Sequence, residues 1–203
     1  ESIGSPLAEK ACFLIVEPNE NYRAAQAAKL APMLGSRIAW RCAVEGLLKE
    51  PGQAFFITNE LLDAFPVHRI RWDGRAWGEQ MVTLGNDGAS LVWRDAPIAD
   101  PRVDAEASRL PVDLPPGYTT EVHPAAAEWM RQVGGLAFQG AVLVADYGFE
   151  SGEYYSPERM DGTVRRYHDH KMDGDVLQDP GACDLTSHVN FSRLMEEAAP
   201  KFE

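Results

Sequence analysis

Polar residues stand directly after short apolar runs at three places in this chain. Ala54-Phe55-Phe56-Ile57 leads into Asn59-Glu60-Leu61-Leu62-Asp63-Ala64-Phe65-Pro66, Leu14-Ile15-Val16 into Glu17, and Val142-Leu143-Val144-Ala145 into Asp146-Tyr147. In an open α/β sheet, ligands bind outside the C-terminal ends of parallel strands, so the three sets are candidates for one crevice. A carboxylate at the end of the second strand of a Rossmann-type sheet accepts hydrogen bonds from both hydroxyls of a ribose, a role that fits Glu17. Glu60 and Asp63 are three residues apart, so one helical turn puts both on the same side. Plainer readings stand beside these: a surface Glu before a proline, and a capping Asn before a solvated acidic turn.

The surrounding pattern alternates strands and helices. Cys12–Val16 is a continuous apolar strand, and Asn19 or Asn21 caps a helix carrying Tyr22, Gln26, Leu30 and Met33 at helical spacing. Arg37–Cys42 and Phe55–Thr58 are further strands, the latter short, apolar on both faces and therefore expected to be buried. This order predicts a parallel sheet with right-handed crossovers. Val67–Trp72, Glu79–Leu84 and Ser90–Trp93 are separated by Asp73-Gly74 and Asn86-Asp87-Gly88, which predicts an antiparallel three-strand insertion. Residues 95–117, rich in Pro and Asp, read as a loop. A helix over 124–136, a fourth buried strand over 140–145, an extended piece over 162–168 and a last helix from Val189 to Ala199 complete the pattern. The expected parts are 1–66, a partial Rossmann-like cofactor-binding segment; 67–118, the insertion and loop; and 119–203, the rest of the α/β domain with a substrate-side segment.

The 203 residues suit one domain with an insertion. Acidic residues number 31 against 19 basic, a net charge of −12. That balance argues against broad nucleic-acid binding and against an anionic membrane surface. Cys12, Cys42 and Cys183 form no CxxC pair and point to a reducing compartment, either bacterial cytoplasm or mitochondrial matrix. No apolar run approaches the roughly 20 residues of a transmembrane helix, so no membrane insertion is expected. Without an initiator Met, residue 1 is expected not to be the natural start. His168-Asp169-His170 with Asp173 and Asp175 lacks a strong metal spacing, and neighbouring histidines on an extended segment point to opposite faces, so no metal site is expected.

Four stretches carry a resemblance. They are Leu14–Pro18 with Tyr22–Gln26; Thr58–Val67; Val144–Gly148; and Gly162–Arg165 and His168 with Asp179–Gly181, Asp184–Val189 and Phe191. Together they resemble the family of class I S-adenosylmethionine-dependent methyltransferases that includes the mitochondrial complex I assembly arginine methyltransferase and its bacterial relatives. Relatives carry a first Rossmann strand and a Glu-x-Gly-x-Gly loop before this region. Nothing in the chain supplies that loop, and Gly134-Gly135 lies at a helix end. The resemblance therefore implies the central portion of a Rossmann-like class I methyltransferase sheet with an antiparallel β insertion, lacking the first strand and the glycine-rich loop.

It further implies S-adenosylmethionine as cofactor and an arginine of a protein substrate, such as a respiratory complex I subunit, as methyl acceptor. Carboxylates suit that task because they pair with a guanidinium in a forked geometry and take up its charge. Glu60 and Asp63 are the candidates for holding it. Asn59 and Glu17 are cofactor-side candidates, and Ala43 and Val44 would border the adenine. Asp146, Tyr147, Arg165, His168 and His188 would line the substrate side. The absent glycine-rich loop leaves a competing expectation, a non-catalytic binding or assembly module of the same fold. A sheet without its first strand would also leave exposed strand edges, which a homodimer could cover.

Overall fold

The computed structural model describes residues 10–44, 47, 52–172 and 174–198. Asp173 and the expected helix end at Ala199 lie outside the described residues. The chain divides into two compact units: residues up to Gln53 with Gly135–Gln139, and Ala54–Gly134 with Gly140 onward.

In the first unit β1 (Phe13–Val16) runs parallel to β2 (Ile38–Arg41), with Phe13 opposite Ile38 and Val16 opposite Arg41. The helix between them, α1 (Glu20–Leu34), starts where the sequence places it. The Asn19 side chain accepts from the backbone N–H groups of Asn21 and Tyr22, satisfying two donors that the first turn cannot pair internally. Gly35, at a left-handed φ of 56°, ends it.

Mostly within the second unit, β3 (Gly52–Asn59) pairs with β8 (Phe138–Ala145). Gly140 lies against the Ala54 carbonyl, and Ala145 O accepts from Glu60 N at 2.9 Å. Both strands ascend together between those points, so the pair is parallel. A Cβ at position 140 would collide with the Ala54 carbonyl oxygen, so the approach requires glycine. The expectation that these strands are buried on both faces is corrected. Pleating puts Phe55 and Ile57 on the face opposite Phe56 and Thr58, and Phe55 and Ile57 are 76% and 73% exposed. Leu143 on the partner strand is likewise exposed.

The insertion is a four-stranded antiparallel sheet rather than a three-stranded one. Its order is β6 (Leu91–Ala96), β5 (Trp77–Leu84), β4 (His68–Trp72) and β7 (Thr119–Val122). The stretch expected as a loop holds the end of β6 and α2 (Pro101–Ala107). Asp100 caps α2 through Arg102 N, and Pro101 supplies the first helical position. Ile70 and Val122 of the sheet bury against Val103, Ala107 and Leu110. Trp72, Leu114 and Tyr118 form an adjoining cluster, with Trp77 against it. Beyond the sheet, α3 (Pro124–Gly134) packs on α5 (Phe191–Ala198), with Arg131 paired to Glu197 at 2.8 Å.

The remaining segments of this unit are short. They are β9 (Gly148–Phe149), α4 (Ser151–Tyr154), β10 (Arg165–His168), β11 (Lys171–Met172), β12 (Asp184–Thr186) and β13 (Val189–Asn190). β10 lies between β11 and β12, and β9 pairs in parallel with β13. Among the described residues no helix is long and apolar enough to cross a membrane.

Candidate functional site

The end of β3 turns sharply. Glu60 adopts a left-handed φ of 49°, an uncommon conformation for a residue with a side chain and one that tends to persist where the surroundings over-determine it. Asp146, at the end of β8, provides that constraint. Its Oδ2 accepts from Leu61 N at 3.1 Å and Leu62 N at 2.8 Å, and its Oδ1 accepts from Tyr147 N at 2.9 Å. One carboxylate thus fixes the exits of both strands. Leu62, fully buried, anchors the turn. The chain at Ser187–Val189 fastens the other side: Ser187 N donates to Asp63 O at 2.9 Å and Val189 N to Tyr147 O at 2.7 Å.

These constraints bring Glu60, Asp63, Asp146 and Tyr147 together, as the sequence predicts for the two strand ends. Asp63 is buried, and that burial pushes its carboxyl pKa above the ordinary value. The negative charges of Asp146 and Glu60 add to the shift. Glu60 also raises the Tyr147 phenol, by its charge and by a hydrogen bond to it. Among the described residues no Lys, Arg or His side chain forms an ion pair with any of these three acids. Asn59 stands exposed beside them at the end of β3.

The His188 ring meets Phe149 edge-on, with centroids 4.9 Å apart, and Arg159 covers the Phe149 ring at 4.2 Å. Burial, then Arg159 and Arg165, hold the His188 pKa below its usual value. Arg165 donates to the carbonyls of Val164 and Gly162 at 2.7 and 3.3 Å. His168 is exposed, 3.8 Å from Asp169, and takes no part in the acidic cluster.

Glu17, Ala43 and Val44 belong to the first unit. Glu17 is held firmly: Oε1 accepts from Asn19 N at 2.9 Å and Oε2 from Gln26 Nε2 at 3.3 Å. Gln26 Oε1 in turn accepts from Trp40 Nε1 at 3.0 Å. Both carboxylate oxygens keep lone pairs that can accept further hydrogen bonds. Val44 is buried and Ala43 exposed. No group of three or more His, Cys, Asp or Glu residues among those described is arranged to hold a metal ion.

Behind the acidic cluster lies a polar network that the sequence did not reveal. Glu121, 1% exposed, accepts from Thr163 N at 2.8 Å and Thr163 Oγ1 at 3.0 Å. Thr163 Oγ1 also accepts from His188 N at 3.0 Å and lies 3.4 Å from the buried Tyr154 hydroxyl. Tyr154 and Ser187 each stand 3.4 Å from His123 Nε2. Burial raises the Glu121 pKa and lowers that of His123 to about 4, so the imidazole is neutral at pH 7. Thr119-Thr120-Glu121-Val122-His123 has no polar–apolar alternation, because every residue in it is buried. The only sequence signal was Gly162, where a Cβ would collide with the Glu121 carboxylate.

A sequence model of the S-adenosyl-L-methionine-dependent methyltransferases matches residues 2–201. This chain belongs to that family. It is similar to the mitochondrial protein arginine methyltransferase NDUFAF7 of Xenopus tropicalis, with 33% identity over 73% of this chain and 33% of the relative. The human NDUFAF7 is 30% identical over 82% of this chain and 35% of its own length. A Burkholderia thailandensis protein solved bound to S-adenosyl-homocysteine superposes with a TM-score of 0.81 at 33% identity, covering 96% of this chain and 50% of that protein. The chain thus spans about a third of the curated relatives' length and half of the solved protein's. The α/β fold expected of a methyltransferase agrees with this match.

Proposed function

We propose that this chain carries the arginine-binding side, and the ribose-binding carboxylate, of an S-adenosylmethionine-dependent protein arginine methyltransferase. The observation that carries the reading is the cluster of Glu60, Asp63 and Asp146, three acids brought together with no cation of the described residues paired to them. A guanidinium supplies the missing charge and offers its N–H groups in a fork that matches carboxylate oxygens. Glu60 and Asp63 hold it, orient one nitrogen for in-line attack and draw its positive charge so that the nitrogen lone pair becomes available. Asp146 acts by holding the backbone that presents them, and Tyr147 and His188 wall the same side, with Arg165 and His168 farther out. Glu17 takes the ribose diol, Asn59 the polar end of the cofactor, and Ala43 with Val44 the adenine face. The bound cofactor supplies the electrophilic methyl group. The net charge of −12 supports a protein rather than a nucleic acid as substrate. The relatives' naming as mitochondrial supports a matrix setting, and a bacterial cytoplasm suits the free cysteines equally.

Calorimetric titration with S-adenosylmethionine tests the cofactor side, using this chain and a form extended at its N-terminus to the relatives' length. Glu17→Ala should weaken binding by roughly 1–3 kcal/mol, the scale of lost charged hydrogen bonds. Asp63→Asn should leave cofactor affinity nearly intact and suppress methyl transfer to an arginine-containing protein. Transfer at the unaltered rate would remove the guanidinium clamp. Absence of cofactor binding by both forms would favour the assembly-module alternative.

A further inference from the structure

The insertion sheet has two unlike faces. Pleating and register put Ile70, Trp72 and Val122 on one face, where they form the core with α2. Arg69 and Arg71 project from the other, beside Gln80 of β5 and Trp93 of β6. Arg69 Nε donates to Gln80 Oε1 at 2.9 Å, and its guanidinium lies 5.1 Å from the Trp93 ring centroid. Across from this face runs β10, contributing Arg165 and Arg166. Between them lies an open groove of about 760 Å³ whose lining includes all four arginines. In a chain of net charge −12 this concentration of guanidinium groups is out of character with the rest of the surface.

Arg69 and Arg166 are nearly buried and paired with Asp161 and Asp179, whereas Arg71 is held loosely. Asp161, paired with Arg69, is 89% exposed, and Asp95 stands 3.4 Å from Arg71 with both side chains about half exposed. The half-exposed Arg71–Asp95 pair contributes little, so an incoming carboxylate can exchange for Asp95. Arg165 spends donors on two backbone carbonyls, which lock its fork in place and leave further N–H groups free to donate. One flank lies near the acidic turn: Arg165 is opposite Thr186 in the β10–β12 ladder, and the next residue, Ser187, donates its N–H to Asp63 O at 2.9 Å. The groove therefore has one end near the turn proposed to hold a substrate arginine.

We infer that this groove binds an acidic stretch of polypeptide flanking the arginine to be methylated, its carboxylates paired with Arg71 and Arg165. The methylated residue rests on the function proposed above, whereas the acidic-peptide site does not. The complementarity is mutual: acids on the enzyme take the substrate's arginine, and arginines on the enzyme take the acids beside it. A longer polyanion such as RNA would run beyond the groove onto a negatively charged surface, which disfavours it.

Fluorescence anisotropy on the full chain tests this with three labelled probes. They are a peptide with one arginine among glutamates, the same peptide with every glutamate replaced by glutamine, and a single-stranded oligouridylate of equal charge. The glutamate peptide should bind, more weakly as salt is raised, and the glutamine peptide should bind at least about tenfold more weakly. Arg71→Gln and Arg165→Gln should each weaken glutamate-peptide binding by about tenfold, the worth of one charged hydrogen-bonded pair. Arg71 is half exposed, so Arg71→Gln folds, and near-UV circular dichroism verifies it. Equal binding of both peptides, unaltered binding by both variants, or oligouridylate binding as tight as the glutamate peptide would each overturn the inference. Asp63→Asn separates the two readings: it should lose transfer while keeping the preference for the glutamate over the glutamine peptide. Groove-dependent peptide binding in a protein that methylates nothing would support the groove and count against the methyltransferase reading.

Discussion

Replacing Gly162 with alanine should be among the most damaging single-methyl changes in this molecule. Gly162 has a φ of 65°, and an ordinary residue held in the left-handed region loses about 1–2 kcal/mol. The new Cβ would also lie 2.8 Å from Glu121 Cδ and closer still to Oε1, nearer than such atoms approach in real structures. Glu121 is fully buried, so it has no open side to retreat to, and withdrawal breaks both of its hydrogen bonds with Thr163. Stranding those buried groups, together with the backbone strain, gives roughly 3–6 kcal/mol of destabilisation. That is a large share of the 5–15 kcal/mol typical of a folded domain. Urea unfolding followed by tryptophan fluorescence measures it, with Gly88→Ala as the control. Gly88 has a similar φ of 69° but open space around its would-be Cβ, so it reports the backbone strain alone. Because Thr163 Oγ1 also takes the His188 N–H, Gly162→Ala should lower methyl transfer at temperatures where the protein is still folded. Equal losses for the two variants would refute the reasoning, for then Glu121 would not be wedged against this backbone.

Asp146→Ala leaves the amides of Leu61, Leu62 and Tyr147 without their acceptor; a loss of about 2 kcal/mol in unfolding free energy and a raised KM for the arginine substrate are expected. Asp63→Asn should stabilise the ligand-free protein. Burial and the charges of Asp146 and Glu60 raise the Asp63 pKa in the folded state, so its favourable contribution is present below the unfolded value near 3.8 and lost as pH rises through the folded one. Thermal midpoints of wild type and variant should therefore diverge at pH 7 and converge at pH 3.5, and the reverse order would exclude repulsion within the cluster. His123 acts with the opposite sign: its depressed pKa of about 4 against 6.5 when unfolded means that stability is lost as pH falls from 6.5 toward 4, by about 3 kcal/mol. Denaturation across that range should show the slope, and His123→Asn should flatten it.

The sequence located the acidic turn because its determinants are local. A strand-like apolar run ends abruptly in polar residues, and the parallel-sheet rule says what such an end is for. The Asn19 cap and the hairpin turns were legible for the same reason, each depending on a few neighbouring side chains and backbone angles. The helix at Pro101–Ala107 was overlooked although Asp100-Pro101 carries a start signal, because one short helix in a Pro-rich stretch has too few turns to show a period. Glu121 and His123 were illegible in a different way. A strand buried on both faces carries no alternation, and a charged residue within it argues against burial until its partner, 42 residues later, is known. The exposure of Phe55 and Ile57 was equally hidden, since composition says that a strand is apolar but not how many of its faces are covered.

The clasp between Asp146 and the Leu61 and Leu62 amides joins residues 85 and 84 positions apart. The acidic turn thus owes its geometry to a contact that cannot exist until the chain has closed a long loop. Closing such loops is slow relative to forming helices and hairpins. The insertion sheet, built largely from adjacent hairpins, can assemble while Glu60 and Asp63 are still unplaced. During synthesis the chain must be complete at least through β8 before the two acids face each other. Their mutual repulsion is therefore met late, after the neighbouring structure that confines them has already been made.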